Sequence, residues 1–329
     1  MKVIDSQTHW YPRLLWEAYE KSFDTYPRCK RDGDSWAYEL FPDRWYPIGS
    51  NLMDLGEQME AHRAAGADVV FSSSGSFGDV DRLELGHAKE VAAAVNQLRS
   101  DAEKEYPGEF YGVASIPWQD TDAAIAELDH AIGSLGMKAV LVHSNIDGAP
   151  VDSEHCRPIW AKLAELGVPV FIHPARSVAE EKFRDYGMEY LAAYMFDTST
   201  AALRLVLSGI MAENPNLKVV HPHCGATLPY LAGRIDSSHV HPYSLGDPLD
   251  PLPSEQFASR FWTDTVCQSV ETIKFALNFY EGGHVMYGSD YPWFQPDSEL
   301  DYVRRAVPEE ELSGVLGGNF AEIVGIDAE

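Results

Sequence analysis

Seven polar side chains that can bind a metal ion or transfer a proton occur at or just after short apolar stretches of the sequence. Imidazole and carboxylate groups together suit Zn²⁺, Mn²⁺ or Fe²⁺, whereas Mg²⁺ and Ca²⁺ prefer ligand sets made only of oxygen. The residue types therefore predict a site for one of the first three ions. The candidates are Gln7, His9, His143, His173, His221, His223 and Asp290.

The surroundings of each candidate indicate different roles. The regular placement of His173 and Asp290 at the ends of strand-like segments favours metal ligation over a structural role. His223 precedes a glycine turn, a setting that suits a mobile acid or base. His221 would point away from the site if its strand continues, which favours a packing role. For His143 the ligand role and the structural role are balanced.

The segment at 3–12 places two of the candidates close together. Two β-branched residues are followed at once by polar groups, as at the end of a short buried strand. The strand side-chain period of two predicts that Asp5, Gln7 and His9 lie on one face. We therefore expect this segment to deliver ligands to the site.

One module recurs from residue 52 onward: a helical pattern, a Gly or Pro break, an apolar strand and a polar tip. Such alternation predicts a parallel sheet covered by helices, and eight units predict a (β/α)₈ TIM barrel, whose strand tips converge. An open doubly wound sheet is the alternative, but no glycine-rich phosphate turn follows the first strand. Predicted strands lie at 67–71, 110–116, 138–143, 168–173, 217–220, 261–265 and 284–290, and predicted helices at 52–65, 87–105, 121–135, 157–166 and 188–213.

Two segments interrupt this rhythm. Residues 20–50 are rich in aromatic residues and prolines without a clean period, and an insertion here would cover the barrel mouth like a lid. Residues 239–256 contain four prolines and predict a loop. No linker marks a boundary, so we expect one domain over residues 1–329.

Composition limits the partners. The formal net charge is −26, from 51 acidic and 25 basic residues, which argues against nucleic acid and anionic membranes. An anionic substrate would need a local cation. Four cysteines without a CxxC pair make disulfides unexpected. We found neither a signal peptide nor an apolar run near the ~18 residues of a membrane span, so we expect a cytoplasmic protein.

Four motifs together resemble those of one family. They are Ile4-Asp5-x-x-x-His9-x-x-Pro12, Phe171-Ile172-His173-Pro174, the stretch at 216–220 that leads to His223-Cys224-Gly225-Ala226-Thr227-Leu228-Pro229, and Tyr287-Gly288-Ser289-Asp290-Tyr291-Pro292. The chain resembles the amidohydrolase-related decarboxylases, typified by aminocarboxymuconate semialdehyde decarboxylase and γ-resorcylate decarboxylase. The resemblance covers nearly the whole chain outside 20–50 and 239–256.

The resemblance implies a metal-dependent lyase that decarboxylates a small aromatic or unsaturated carboxylic acid without oxidation. It places the metal ligands at His9, His173 and Asp290 and the catalytic histidine at His223. Our own hypothesis is that Zn²⁺ is bound in preference to Mn²⁺ or Fe²⁺, and that His223 or Asp290 protonates the carbon that loses CO₂. The chain departs from the family at Gln7, where the family usually has His or Glu.

The remaining candidates concern the substrate. Tryptophans can wall a pocket and exclude water, and arginines can clamp a carboxylate. We expect such roles near the mouth of the barrel. The candidate residues are Trp10, Arg44, Trp45, Arg176 and Trp293.

Other functions remain open on the same scaffold. His143, His221 and His223 could help to hold a second metal, which would suit a hydrolase, a hydratase or a dinuclear Fe/Mn oxygenase. The neutral Gln7 would also fit a non-catalytic subunit that supports an active paralogue. Residues 191–196 could form an apolar patch, so we expect a homo-oligomer or a hetero-oligomer with a paralogue.

Overall fold

The computed structural model describes residues 1–22, 28–33, 35–41, 44–77, 80–176, 180–239 and 249–328. Within these ranges the chain contains eleven strands. They are β1 (Ile4–His9), β2 (Arg28–Asp32), β3 (Ser35–Phe41), β4 (Arg44–Ile48), β5 (Val69–Ser73), β6 (Phe110–Gly112), β7 (Val140–His143), β8 (Pro169–His173), β9 (Lys218–Val220), β10 (Phe261–Asp264) and β11 (Val285–Met286).

Helices connect the strands in the described part of the chain. They are α1 (Arg13–Lys21), α2 (Ser50–Met53), α3 (Leu55–Ala65), α4 (Leu85–Glu105), α5 (Thr121–Leu128), α6 (Arg157–Leu166), α7 (Glu180–Phe183), α8 (Tyr194–Leu207), α9 (Ile210–Glu213), α10 (Leu228–His239), α11 (Pro253–Arg260), α12 (Val270–Phe279), α13 (Pro296–Ala306), α14 (Glu309–Ser313) and α15 (Asn319–Val324).

Eight parallel strands form the inner ring. One sheet has the order β1-β5-β6 and a second has the order β7-β8-β9-β10-β11. Two isolated parallel bridges join them, Ala114 with Val140 on one side and Thr8 with Tyr291 on the other. Because both seams are bridged, the ring closes, and the predicted TIM barrel is confirmed.

Large apolar side chains fill the interior of the barrel. The ring of Phe320, on α15, lies 4.7 Å from the ring of Phe71 on β5 and 5.9 Å from that of Phe171 on β8. These residues belong to one buried cluster with side chains from most of the strands. The terminal helix therefore contributes to the interior core on which the strand tips rest.

A change of register in β1 corrects one expectation. Asp5 pairs with Val70 but Thr8 pairs with Ser72, so an advance of three residues along β1 corresponds to only two residues along β5. This bulge interrupts the side-chain alternation. The Asp5 carboxylate therefore faces the helix layer, where its Oδ2 lies 3.5 Å from Nδ1 of His62 on α3. Asp5 does not share the inner face with Gln7 and His9.

The predicted insertion contains a three-stranded antiparallel sheet, β2-β3-β4. Aromatic side chains pair across it, with the rings of Tyr38 and Tyr46 stacked at 5.4 Å. Tyr38 also contacts Phe77, which follows β5 and contacts Trp293, which follows β11. The sheet therefore lies beside the strand tips. The predicted insertion residues Phe23 and Tyr26 are outside the described residues.

Most of the predicted boundaries agree with the structure to within a few residues. The region at 188–213 is interrupted where Gly209 takes a left-handed φ of 84°, and the strand predicted at 284–290 is reduced to Val285–Met286. Helices α1, α10, α12, α13, α14 and α15 were not predicted. The predicted loop at 239–256 already contains the start of α11, and its residues 240–248 are outside the described ranges. None of the described helices is both long and apolar enough to span a membrane.

We expect Phe71→Ala to lower the free energy of unfolding by about 3–5 kcal/mol, because it leaves a cavity in the barrel core. Phe275→Ala is the matched control, since this ring is 47% exposed on α12, and it should change stability by less than ~0.5 kcal/mol. Chemical denaturation followed by fluorescence measures both. Equal losses for the two variants would contradict the assignment of Phe71 to the core.

Candidate metal centre and active site

Three predicted ligands meet at the carboxyl ends of the barrel strands. Nε2 of His9 lies 2.7 Å from Oδ1 of Asp290 and 3.2 Å from Nε2 of His173. Among the described residues these are the one group of three or more acidic, His or Cys side chains whose ligand atoms lie within 4.8 Å of one another. They come from β1, β8 and the segment after β11, so the barrel itself brings them together.

The outer hydrogen bonds orient both rings toward the common centre. Nδ1 of His173 lies 3.1 Å from the carbonyl oxygen of Pro174, which can only accept a hydrogen bond. Nδ1 of His9 lies 2.9 Å from the Ser73 hydroxyl, whose oxygen already accepts from the backbone N–H of Gly75. The Pro174 carbonyl requires the proton of His173 on Nδ1, which leaves its Nε2 lone pair directed at His9. When Ser73 accepts from Nδ1 of His9 in the same way, the two Nε2 lone pairs face each other, an arrangement that a shared cation would stabilise.

Gln7 lies beside this cluster. Its side chain is 6% exposed, and neither its amide oxygen nor its amide nitrogen has a hydrogen-bond partner among the described residues. It lines a cavity of about 10 Å³ together with His173. A buried polar group without a partner is costly. The donor set, two imidazoles, one carboxylate and an unpartnered amide, fits a divalent cation.

The turn after β9 presents His223 at the edge of the cluster. Four consecutive residues, 223–226, have positive φ angles between 47° and 74°. Such backbone is strained outside glycine and persists only where the surroundings hold it. Oδ1 of Asp264, at the tip of β10, supplies that restraint by accepting from the backbone N–H of His223 at 2.8 Å and of Val266 at 3.0 Å.

Asp264 was not predicted to belong to the site. It is fully buried, and burial raises the pKa of its carboxyl group to about 8. The available signal was its position as a carboxylate at the end of the seventh predicted strand. Asp264 restrains the turn that presents His223, through hydrogen bonds that spacing alone does not reveal.

His143 and His221 lie near the cluster without joining it. Nε2 of His143 is 3.0 Å from the carbonyl oxygen of Gly75, so this ring is held by the loop after β5. His221 is fully buried, and burial lowers its pKa to about 3. Neither residue belongs to the group of ligand atoms within 4.8 Å in the described structure.

Burial favours the neutral forms of His173 and His223. Burial, followed by the neighbouring His9, lowers the pKa of His173 well below its ordinary value. Burial also lowers the pKa of His223, and the Asp290 charge opposes this effect. Neutral imidazoles retain the lone pairs that metal ligation needs.

A buried arginine, Arg99 on α4, also reaches the strand tips. Its Nη1 donates to the carbonyl oxygen of Val113 at 2.7 Å and to the hydroxyl of Ser115 at 3.0 Å, and its Nη2 donates to Ser74. In the predicted helix at 87–105, the apolar spacing from Val91 and Val95 continues to Leu98, yet Leu98 is 37% exposed and Arg99 is fully buried. Hydrophobic periodicity does not predict that a charged residue next to an apolar stripe is buried.

The predicted substrate residues are dispersed. Trp293 lies at the mouth, where its backbone N–H donates to the carbonyl oxygen of Asp290 and its ring lies 6.4 Å from that of Tyr11. Trp45 lies in the insertion sheet beneath Lys30, and the Asn145 side chain donates to the Arg176 carbonyl. The side chain of Arg44 is outside the described structure.

The substrate role expected for Trp10 is not supported by its position. Its ring packs edge-on against Phe110, and its Nε1 donates to the carbonyl oxygen of Met53. The strand alternation that points His9 inward turns Trp10 outward toward the helix layer. Tyr11, which was not predicted, is fully buried beside the cluster. Burial and then the Asp290 charge raise its pKa well above the ordinary value.

Comparison with known proteins identifies the family. Residues 4–326 match the family model described as Amidohydrolase. The chain belongs to this family. The resemblance inferred from the four sequence motifs is therefore confirmed.

The relatives in this amidohydrolase family include decarboxylases. The 6-methylsalicylic acid decarboxylase of Penicillium expansum is 28% identical over 335 residues, which cover 98% of this chain and 96% of that protein. The 2-amino-3-carboxymuconate-6-semialdehyde decarboxylase of Dictyostelium discoideum is 29% identical over 244 residues, which cover 73% of this chain and 68% of that protein.

A solved structure of 5-carboxyvanillate decarboxylase from Novosphingobium aromaticivorans has the same fold. The two structures align with a TM-score of 0.87 at 21% sequence identity, and the alignment covers 99% of this chain and 96% of that chain. That structure contains manganese and 4-hydroxy-3-methoxy-5-nitrobenzoic acid.

We expect Asp264→Ala to lower the free energy of unfolding by about 2–4 kcal/mol, because two buried N–H groups lose their acceptor. Asp264→Asn retains an oxygen at Oδ1 and should recover most of that loss. Urea denaturation measures both variants. Equal destabilisation by Ala and Asn would show that the hydrogen bonds to His223 and Val266 do not restrain the turn.

Proposed function

We propose that this amidohydrolase is a metal-dependent lyase that removes CO₂ from a small aromatic or unsaturated carboxylic acid without oxidation. The observation that carries the proposal is the convergence of the Nε2 atoms of His9 and His173 with the carboxylate of Asp290. The decarboxylase relatives support the reaction type. The chain's acidity also requires a local positive charge for an anionic substrate.

His9, His173 and Asp290, with Gln7 beside them, would hold the cation. When bound, a divalent metal supplies a Lewis acid for the substrate carboxylate and a neighbouring oxygen. Zn²⁺ suits imidazole and carboxylate ligands, and the related solved structure contains manganese. CO₂ release should therefore be compared for the protein loaded with Zn²⁺ and with Mn²⁺.

We assign the proton transfer to His223. Its Nδ1 has no hydrogen-bond partner among the described residues, and its turn is restrained at the edge of the cluster. Asp290, the other candidate, already contacts His9. His223 is therefore the freer group to protonate the carbon that loses CO₂. The rings of Tyr11, Phe77 and Trp293 contact one another and would exclude water from one wall of the site.

A dinuclear hydrolase or oxygenase would need a second set of ligands. In the described residues His143 is engaged by Gly75, and His221 lies outside the close ligand group. The geometry therefore supports a mononuclear site.

We also propose that residues 1–329 form one domain and that the protein associates with itself. The exposed Leu191 and Phe196, at 74% and 50%, support an apolar contact surface, although Ala193 between them is buried. Light scattering measures the oligomeric state.

The direct test is CO₂ release from metal-free protein reconstituted with Mn²⁺ or Zn²⁺. The acids are 2,6-dihydroxybenzoate, 6-methylsalicylate, 5-carboxyvanillate and 2-amino-3-carboxymuconate semialdehyde. We expect metal-dependent release from at least one. His173→Ala should lose the metal and lower turnover by more than about 100-fold. This loss should exceed the one caused by removing a residue that only hydrogen-bonds to a metal ligand. His130→Ala, a half-buried histidine in the segment directly after α5, is the control. No metal-dependent release from any of the four acids would contradict the proposal.

Changing Gln7 separates an active chain from a non-catalytic subunit. Gln7→Glu adds a carboxylate and should tighten Mn²⁺ binding by about tenfold, which corresponds to ~1.4 kcal/mol. Gln7→Ala should weaken it. Titration calorimetry measures both. If only Gln7→Glu released CO₂ while the natural chain did not, the natural protein would be the non-catalytic subunit.

A further inference from the structure

The end of β5 and the turn that follows it, residues 73–76, contact the outer side of both imidazoles in the candidate metal centre; we call this segment the β5 loop. The hydroxyl of Ser73 lies 2.9 Å from Nδ1 of His9. The hydroxyl of Ser76 lies 3.4 Å from Nδ1 of His173 and donates to the carbonyl oxygen of the next residue along the chain from that histidine. A displacement of the β5 loop would therefore move the two rings relative to each other.

The middle of the β5 loop fits closely against the His9 ring. A Cβ atom on Gly75 would lie 2.9 Å from Nδ1 of His9 and would collide with the hydroxyl of Tyr11. Gly75 also has a left-handed φ of 48°, which favours glycine. Its carbonyl oxygen lies 3.0 Å from Nε2 of His143. Because not even a methyl group fits between the loop and the ring, the position of the loop backbone determines where His9 can lie.

Arg99 of α4 holds the β5 loop from the helix layer. Its Nη2 donates to the hydroxyl of Ser74, inside the loop. Its Nη1 donates to the carbonyl oxygen of Val113 at 2.7 Å and to the hydroxyl of Ser115 at 3.0 Å, in the segment that follows β6. The guanidinium group therefore ties the β5 loop to the neighbouring strand tip, and its rigid fork of N–H groups suits such a set of contacts better than a lysine ammonium would.

The surroundings of Arg99 indicate a position shaped for this side chain. A Cβ atom on Gly112, the last residue of β6, would lie 2.5 Å from Cβ and 3.0 Å from Cδ of Arg99, so the arginine crosses the strand where no side chain blocks it. Arg99 is fully buried and its three acceptors are neutral oxygens, so burial of its charge is costly. A leucine would avoid that cost. A buried charge that breaks the packing rule points to a functional role for its hydrogen bonds.

We propose that Arg99 is a positioning residue for the metal centre. Through Ser74 it fixes the β5 loop, and through that loop it sets the separation and orientation of the His9 and His173 rings. Arg99 is fully buried and acts through the loop rather than on the substrate itself. This role deepens the proposed function, and it rests on that function only in requiring that the two rings hold a cation.

Titration calorimetry with Mn²⁺ on the full-length, metal-free protein tests the proposal. Arg99→Met keeps an unbranched side chain but removes every donor, and it should weaken Mn²⁺ binding by about tenfold, the lower end of the cost of losing an outer partner of a metal ligand. Arg99→Lys retains a charged donor and should bind Mn²⁺ more tightly than Arg99→Met. An affinity of Arg99→Met equal to that of the natural chain would overturn the proposal.

Asn96, three residues earlier on the same helix, provides the matched control. It is also fully buried, and its side chain donates to the carbonyl oxygen of Ser115 at 2.8 Å and accepts from the Ser115 N–H at 2.9 Å. None of its hydrogen bonds in the described structure reaches the β5 loop. Asn96→Ala should therefore lower the free energy of unfolding, measured in urea, without weakening Mn²⁺ binding. Equal losses of Mn²⁺ affinity in Asn96→Ala and Arg99→Met would show that Arg99 acts only through general stability.

Ser74→Ala keeps the proposal testable if Arg99→Met does not fold. It removes only the acceptor inside the β5 loop and leaves the two contacts of Arg99 beyond β6 in place. We expect Ser74→Ala to weaken Mn²⁺ binding, by less than Arg99→Met does. An unchanged affinity for Mn²⁺ in a folded Ser74→Ala variant would overturn the proposal.

Imidazole ¹⁵N–¹H NMR spectra of the metal-free protein separate this inference from the proposed function. The signals of His9 and His173, assigned with His9→Ala and His173→Ala, should shift in Ser74→Ala and in Arg99→Met but not in Asn96→Ala. A natural chain that did not bind Mn²⁺ would contradict the proposed function. Unshifted His9 and His173 signals in Ser74→Ala would instead overturn the positioning role of Arg99.

Discussion

The site depends on one constraint: two imidazole nitrogens must present lone pairs to the same point without a proton between them. The Pro174 carbonyl and the Ser73 hydroxyl hold the Nδ1 sides of His173 and His9, and so direct both Nε2 atoms inward. Asp290 then supplies the negative charge at 2.7 Å from His9. Each of these outer groups lies at a strand tip or in the loop that follows it, so the geometry is set by the closure of the barrel.

Hydrogen bonds between neighbouring strand tips also restrain the turn that carries His223, the proposed proton donor. The turn at 223–226 adopts a backbone that an isolated peptide would rarely populate. The buried carboxylate of Asp264 stabilises it through N–H groups from two different loops. A carboxylate on β10 thereby determines where His223, the proposed proton donor, lies relative to the cluster.

The insertion and the barrel mouth form a continuous aromatic surface. Tyr38 of the insertion sheet contacts Phe77 after β5, and Phe77 contacts Trp293 after β11. Tyr11 joins the same set from the end of β1. Loops from separate strands therefore wall the site with rigid rings, which would hold an aromatic substrate of the proposed class at little cost in side-chain entropy.

The sequence by itself determined the barrel and the convergence of the three side chains that we predict as metal ligands. Its apolar strands and helical stripes have clear periods, and His9, His173 and Asp290 follow strands whose ends must converge once the barrel closes. Only the tertiary structure decided the outward direction of Asp5, the burial of Arg99 and the hydrogen bonds by which Asp264 restrains the turn of His223. A register shift, a cation within an apolar stripe, and hydrogen bonds between residues about forty positions apart leave no periodic signal, because each depends on how neighbouring elements pack.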